Sequence, residues 1–381
     1  MHGRADLPPP PLLFSVFATF AVGGPQMRFA TLANRLGRRW RHVILAMDGN
    51  LACREHLSAG LDVSFLEAGR RTRNPIRLYR RQRRMLRELQ PDLLLTHNWG
   101  SIEWALANRW PGRLVAQLHA EDGFGPEERT RRLRRRNWFR RVVLGGTPVV
   151  VPSLTLSDIA RRNWRLPSSA LHQVPNGIDL ASFQPGPPVP PLPEWRLAHD
   201  GVVIGTVAAL RPEKNLARLI QAVAMLDPPA RLLVGGDGPD RAQLEGFAAG
   251  LLPRDRVVFV GHVAEPAPLY RHMDIFALSS DTEQMPLSLL EAMASGLPAA
   301  SCNVGDVADM LGPESSELVT ALDAAALGKA LARLAGDATL RRRLGEANRA
   351  RAEQLFDEAR MIERWSGLLD RTRQAFAANA R

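Results

Sequence analysis

The first half of the chain alternates short apolar runs with longer segments in which apolar residues recur among polar ones. The runs are Leu12–Phe20, Val43–Met47, Val63–Leu66, Leu93–Thr96, Leu114–Leu118, Val149–Val151 and Leu171–Val174. Short continuous apolar runs bounded by turn residues fit strands buried on both faces. Gln26–Leu36, Ile76–Leu89 and Ser101–Arg109 between them read as helices. Strand-helix alternation predicts right-handed βαβ units and a parallel sheet. Gln184 to Pro193 is rich in Pro and Gly, and proline lacks an amide donor, so this stretch reads as a linker. The rhythm then restarts. Strands are predicted at Val202–Val207, Arg231–Val234, Val257–Val260, Ile275–Leu278 and Pro298–Ser301, and helices at Leu216–Met225, Arg241–Phe247, Ala267–Arg271 and Leu287–Ala294. The tail from Ala324 to Ala377 is rich in Ala, Leu, Arg and Glu and reads as helices.

The pattern predicts an α/β chain with two Rossmann-like domains. The expected boundaries are 1–185, 186–360 and a terminal helix over 361–381 that returns to the first domain. A length of 381 residues agrees, at roughly 100–200 residues per domain. Leu12 to Val22 follows Arg4 and faintly resembles a signal peptide, but it is too short for a membrane span and runs into Gly23-Gly24. It reads as the first strand, behind an irregular tail, Pro8–Pro11. Cys53 and Cys302 are far apart with no CxxC spacing, so neither a disulfide framework nor a zinc site is expected. A reducing, cytoplasmic compartment fits.

Charge adds an asymmetry. The net charge is +11, but residues 1–190 hold 29 Arg against 14 acidic residues, and the remainder is slightly acidic. The basic half suits an anionic partner such as acidic lipid headgroups, an anionic acceptor or nucleic acid. Its plain alternative is a set of solvated helix faces. Arginine concentrates at Ile76–Leu89 and Arg129–Arg141, the latter with Leu133, Trp138 and Phe139 interleaved. A basic nucleic-acid-binding protein is disfavoured, because the chain has two tyrosines and no RRM or KH signature.

The candidate chemistry follows the strands. Ser279-Ser280-Asp281-Thr282-Glu283-Gln284-Met285-Pro286 runs from a buried strand into a helix that carries Glu291 and stops at Gly296. Pro286 reads as the first helical residue. Free amides at that helix start attract anions, and a carboxylate one and a half turns in can accept ribose hydroxyls. Arg211-Pro212-Glu213-Lys214-Asn215 follows Val202–Val207 and places two cations three residues apart, a spacing fit for a diphosphate. Asn215 is a candidate helix cap. Gly23-Gly24 lets backbone approach a phosphate, or is simply a tight turn. Gly235-Gly236-Asp237-Gly238-Pro239 fits a structural turn better than a phosphate loop. His119, at a strand end before Glu121-Asp122-Gly123, is either a structural histidine or a contact to a sugar hydroxyl.

These blocks, together with Pro175-Asn176-Gly177-Ile178-Asp179, occur in an order that resembles the family-four ("group one") glycosyltransferases of the GT-B fold, over about residues 12–365. The resemblance implies a retaining, metal-independent transferase without a cofactor. A nucleoside-diphosphate sugar would be the donor, bound mainly by the second domain. Glu291 would hold ribose hydroxyls, and Arg211 and Lys214 would neutralise the departing diphosphate. Gly23 and Gly24 would face the phosphates or acceptor. His119 would meet the donor sugar, with Glu283, Gln284, Met285 and Leu287 around it. The implied acceptor is a glycan or lipid-linked precursor of bacterial surface polysaccharide, with peripheral contact to an anionic inner leaflet through the basic surfaces. A GT-B nucleotide-sugar epimerase is the alternative within enzymes. Two positions depart from the family pattern: Gln284-Met285-Pro286 replaces Gly-Phe-Gly, and Gly305-Asp306-Val307-Ala308-Asp309 replaces Gly-Gly-x-x-Glu.

Overall fold

The computed structural model describes residues 9–69, 74–123, 133–187, 201–227 and 229–379. Pro8, Arg129 to Arg132 and the linker from Pro188 lie outside these described residues. The chain divides into two compact units, Met1–Val174 with Met361–Arg381, and Pro175–Arg360.

Unit 1 holds seven strands: β1 Leu12–Phe17, β2 Arg41–Ala46, β3 Val63–Glu67, β4 Leu93–His97, β5 Ala116–Ala120, β6 Val149–Val151 and β7 Leu171–Gln173. They pair in parallel in the order β3-β2-β1-β4-β5-β6-β7. Every residue of β1, β4 and β5 is buried, which explains their continuous apolar runs. Alternation divides β1 between two cores. Leu13 and Phe17 pack with Phe29, Trp40 and Ile44, and Phe14 and Val16 with Leu94 and Trp104. The first core also takes Met361, Trp365, Leu368 and Leu369 from the terminal helix Glu358–Asn379.

Unit 2 holds β8 Val203–Val207, β9 Arg231–Gly235, β10 Val257–Gly261, β11 Ile275–Leu278, β12 Ala299–Cys302 and β13 Val319–Thr320. These are parallel in the order β10-β9-β8-β11-β12-β13. Sheet direction reverses between β1 and β4 in unit 1, and between β8 and β11 in unit 2. In open parallel sheets the loops beyond the carboxyl ends at such a reversal form the ligand crevice. In unit 2 those loops are 208–215 and 279–286.

Several elements differ from expectation. β1 ends at Phe17, and residues 18–20 leave the sheet, with the Phe20 amide donating to the Asn50 carbonyl (3.0 Å). The helices Leu154–Arg162 and Val307–Leu311 and the two-residue β13 are not among the predicted elements, being too short for their apolar positions to establish a period. Residues 175–185 pack with unit 2 rather than with the first domain. Asn176 Nδ2 donates to the Met285 carbonyl (2.9 Å), and the Ile178 amide donates to the Phe356 carbonyl (2.8 Å). Proline content marks where no element forms, but not which core an extended segment joins.

Candidate functional site

β8 and β11 are neighbours, so their following loops emerge side by side. The first closes into a short turn, Pro212–Lys214, then Asn215 takes a left-handed conformation (φ 43°) and caps the helix Leu216–Ala224. The second is bonded to it along its length. The Asp281 amide donates to the Glu213 carbonyl (2.9 Å), and Ser279 Oγ donates to the Lys214 carbonyl (3.0 Å). Asn215 Nδ2 and Arg218 both donate to Asp281 Oδ1, at 2.9 and 2.7 Å. Arg218 also donates to the Ser279 carbonyl (2.7 Å). Two sequence-distant loops thus behave as one surface.

On that surface Glu283 Oε1 accepts from Lys214 Nζ (2.6 Å) and from Ser280 Oγ (2.7 Å). Both partners of the ion pair are partly exposed. Arg211 is exposed and has no side-chain partner among the described residues. Gln284 and Leu287 are partly exposed, whereas Met285 is buried and its side chain joins the unit 2 core. The Asn176 backbone amide donates to the Met285 sulfur (3.2 Å), so at this position the backbone, not the side chain, remains for a ligand.

Glycines let backbones meet here. Gly305 has φ +54°, and a Cβ on it would lie 2.5 Å from the Gln284 carbonyl oxygen and 2.6 Å from that of Glu283. A Cβ on Gly236 would lie 1.9 Å from the Ala208 carbonyl oxygen. The Gly235–Pro239 loop is thus a brace under residues 208–210, with the Leu210 amide donating to the Asp237 carbonyl (2.9 Å).

The helix Leu287–Ala294 has the bounds its pattern predicts, and Pro286 lies just before it rather than as its first residue. Pro286 is its N-cap, at φ −66° and ψ 123°, and no side chain caps the free amides. At the far end Arg349 donates to the Ala294 and Phe183 carbonyls, at 2.6 and 2.7 Å. Glu291 Oε2 accepts from the Tyr270 hydroxyl (2.5 Å). Burial pushes the Glu291 carboxyl up to about 7, with the Tyr270 bond opposing part of that rise. Tyr270 is fully buried, and burial together with the Glu291 charge holds its phenol well above the ordinary range. It therefore remains a donor.

In unit 1, Gly23 is extended and Gly24 opens the helix Gly24–Leu36, again without a side-chain cap. His119 is different from expectation. It lies inside β5, fully buried, with Nδ1 2.8 Å from Thr96 Oγ1 and Nε2 3.2 Å from Glu121 Oε2. Arg140, also fully buried, donates to both Glu121 oxygens at 3.4 Å. Its guanidinium stacks over Trp99 and Trp164. Burial alone would raise the Glu121 carboxyl, but the Arg140 charge and the His119 and Arg140 bonds hold it below its usual value. His119 is thus a member of a buried polar cluster in unit 1. A strand end looks alike in sequence whether its last side chain turns in or out.

The pattern missed Ser280, Arg218 and Tyr270 as site-forming residues. Arg218 and Tyr270 sit on helices, away from the motif loops. The one signal for Tyr270 was its rarity, as one of two tyrosines.

Comparison with known proteins agrees with this architecture. Residues 193–351 match the family described as Glycosyl transferases group 1, and residues 22–182 match Glycosyltransferase Family 4. A 2-deoxystreptamine glucosyltransferase from Streptomyces kanamyceticus is 35% identical over 128 residues, 32% of this chain and 33% of the relative. A D-inositol 3-phosphate glycosyltransferase from Xylanimonas cellulosilytica is 28% identical over 295 residues, 70% of this chain and 69% of the relative. Three of the curated relatives are matched over 33%, 46% and 54% of their own length. The Anabaena protein HepE, solved in complex with UDP-glucose, superposes with a TM-score of 0.78 at 17% identity, covering 94% of this chain and 99% of that one. Two family matches in succession, each on its own parallel sheet, place the chain in the family 4 (group 1) glycosyltransferases of the GT-B fold.

Proposed function

We propose that the chain transfers a sugar, with retention, from a nucleoside-diphosphate sugar to a glycan or lipid-linked acceptor in surface polysaccharide synthesis. The carrying observation is the joined pair of loops beyond β8 and β11, which presents Arg211, Lys214 and Glu283 together, with Glu291 on the helix that follows. In this reading Glu291 accepts ribose hydroxyls. Arg211 and Lys214 hold the diphosphate and neutralise charge on it as the bond from the sugar carbon to the phosphate oxygen breaks. Glu283, released from Lys214, accepts sugar hydroxyls. The acceptor oxygen bonds to that carbon from the same face, and its proton passes to the departing phosphate. No protein base is needed, which is compatible with an enclosed His119. The HepE complexes with UDP and UDP-glucose support a nucleotide-sugar donor. Gly23 and Gly24 supply a bare helix start that suits a phosphate or acceptor group.

The test is a thermal-shift panel of UDP-, GDP- and ADP-sugars against the wild type and Glu291→Ala. One nucleotide class should raise the wild-type midpoint, and the variant should lose that rise. No shift with any of the three in the wild type would end this reading.

The acceptor reading extends to a membrane surface. Arg77, Arg80, Arg84 and Arg87 form an exposed stripe along the helix Pro75–Leu89, and Trp138 is exposed among Arg134, Arg135 and Arg141 on Arg134–Leu144. Arginine stripes with an interfacial aromatic suit anionic headgroups. No described helix is long and apolar enough to cross a membrane. Flotation with anionic vesicles at low salt should carry the protein upward, and its staying at the bottom would exclude this contact.

A further inference from the structure

The polar groups that no motif accounts for include one that touches the site directly. Tyr270 ends the short helix Ala267–Tyr270, and its ring is fixed between Phe183 and Phe276, with centroids at 5.8 and 6.0 Å. Its hydroxyl has two partners within reach, Glu291 Oε2 at 2.5 Å and the Ser288 carbonyl at 3.2 Å. A phenol carries one proton. When Glu291 is ionised, the phenol keeps that proton and donates it to Oε2. When Glu291 is protonated, the carboxyl donates to the phenol oxygen and the phenol donates to Ser288. Glu291 Oε1 has no hydrogen bond among the described residues, and the residue keeps partial exposure.

We propose that Tyr270 is a positioning residue for nucleotide recognition: its hydroxyl fixes the carboxyl plane of Glu291 and leaves Oε1 to accept a ribose hydroxyl. This rests on the reading of Glu291 as the ribose ligand. A carboxyl free to rotate would spend much of its time in orientations that do not match the two ribose hydroxyls, and Tyr270 removes that freedom before the ligand arrives. The phenol also favours the ionised carboxylate, the form that accepts two ribose donors. Other charged groups on elements around this helix are committed elsewhere. Arg349 on Ala338–Leu355 reaches the opposite helix end and pairs with Glu353 (2.6 Å), and Arg218 engages Asp281. Among the side chains of β11 and β12, Cys302 is the titratable one, and it lies in the core on the Arg218 side.

The experiment is isothermal titration of UDP, GDP and ADP, and of the 2′-deoxy form of whichever binds tightest, between pH 6 and 8.5. Wild type, Tyr270→Phe and Glu291→Gln are compared. Tyr270→Phe keeps the ring and its packing, so thermal unfolding should stay near wild type. It should weaken the ribonucleotide about tenfold, bring the ribo/deoxy preference close to one, and move the midpoint of the pH profile upward. Glu291→Gln should remove the carboxyl's share of the pH dependence in this range and leave that of the terminal phosphate, which titrates at about pH 6. Should Tyr270→Phe fold poorly, Glu291→Asp, which shortens the carboxylate away from the phenol, should show the same loss of preference. A wild-type ribo/deoxy ratio and pH midpoint in Tyr270→Phe, with binding still sensitive at Glu291, would overturn the role of Tyr270 alone. A pH profile unchanged in Glu291→Gln, or no binding of any of the three by wild type, would overturn the ribose reading and this proposal together.

Discussion

At the scale of single residues, Glu291 and Glu121 show what burial does to a carboxyl with and without a cation. Glu291 has only a neutral donor, so burial prevails and its carboxyl titrates at about 7. In the folded state it therefore holds a proton between about pH 4.5 and 7 that the unfolded chain has released. Its contribution to stability falls as pH rises through that window. Glu291→Gln should stabilise the ligand-free protein at pH 8 by up to about 3 kcal/mol, from 1.36 kcal/mol per pKa unit, and change little at pH 4.5. Urea unfolding at the two pH values measures this, and equal effects at both would contradict it. Glu121 sits against Arg140, and there the cation prevails. Glu121→Ala takes this carboxylate away from a buried guanidinium and should cost about 3–5 kcal/mol. His119→Gln should lower the melting temperature while leaving nucleotide affinity at the wild-type level. A folded His119→Gln that no longer binds nucleotide would restore the histidine to the donor site.

At the scale of elements, the loops that carry the chemistry depend on glycines that carry none. Gly236 has φ +125° and faces the Ala208 carbonyl. Gly236→Ala should push the 208–210 loop away, cost about 1–3 kcal/mol and weaken nucleotide binding along with stability. Equilibrium unfolding and titration of the same sample check both effects. Strands such as β1, β4 and β11 were readable from sequence because burial on both faces leaves an unbroken apolar run. The Glu283 and Glu291 positions were readable because strand, loop and helix follow one another locally. What escaped the sequence is pairing across distance. Lys214 and Glu283 are 69 residues apart, as are no two members of a local motif. The partners of His119 are Thr96 and Glu121, and Glu121 is held by Arg140, so the cluster draws on other elements. The helix Leu154–Arg162 buries Leu156, Ile159 and Ala160 at helical spacing, but at nine residues it repeats that pattern over fewer than three turns.

At the scale of the whole molecule, each unit encloses its own cores, and the terminal helix belongs mainly to the first. Trp365 is nearly fully buried in the unit 1 core, and Arg28 lies over its ring (5.4 Å). Trp365→Ala should cost about 3–5 kcal/mol and should act on unit 1. A nucleotide-induced rise in the melting of unit 2 should survive it. Differential scanning calorimetry with and without nucleotide would read both effects. Loss of the nucleotide response in a variant that retains unit 2 would count against separate cores.

The return of the chain at Met361 also sets an order of assembly. Residues Pro175–Arg360 form one continuous stretch, so every part of unit 2 precedes Met361 in the chain. Unit 1 begins first and is completed last, because Met361, Trp365, Leu368 and Leu369 must emerge before its core closes. Until then the apolar face around Phe29 and Trp40 is open to chaperones or to other chains. A premature stop near residue 360 should therefore produce a protein whose C-terminal half is sound and whose N-terminal half aggregates.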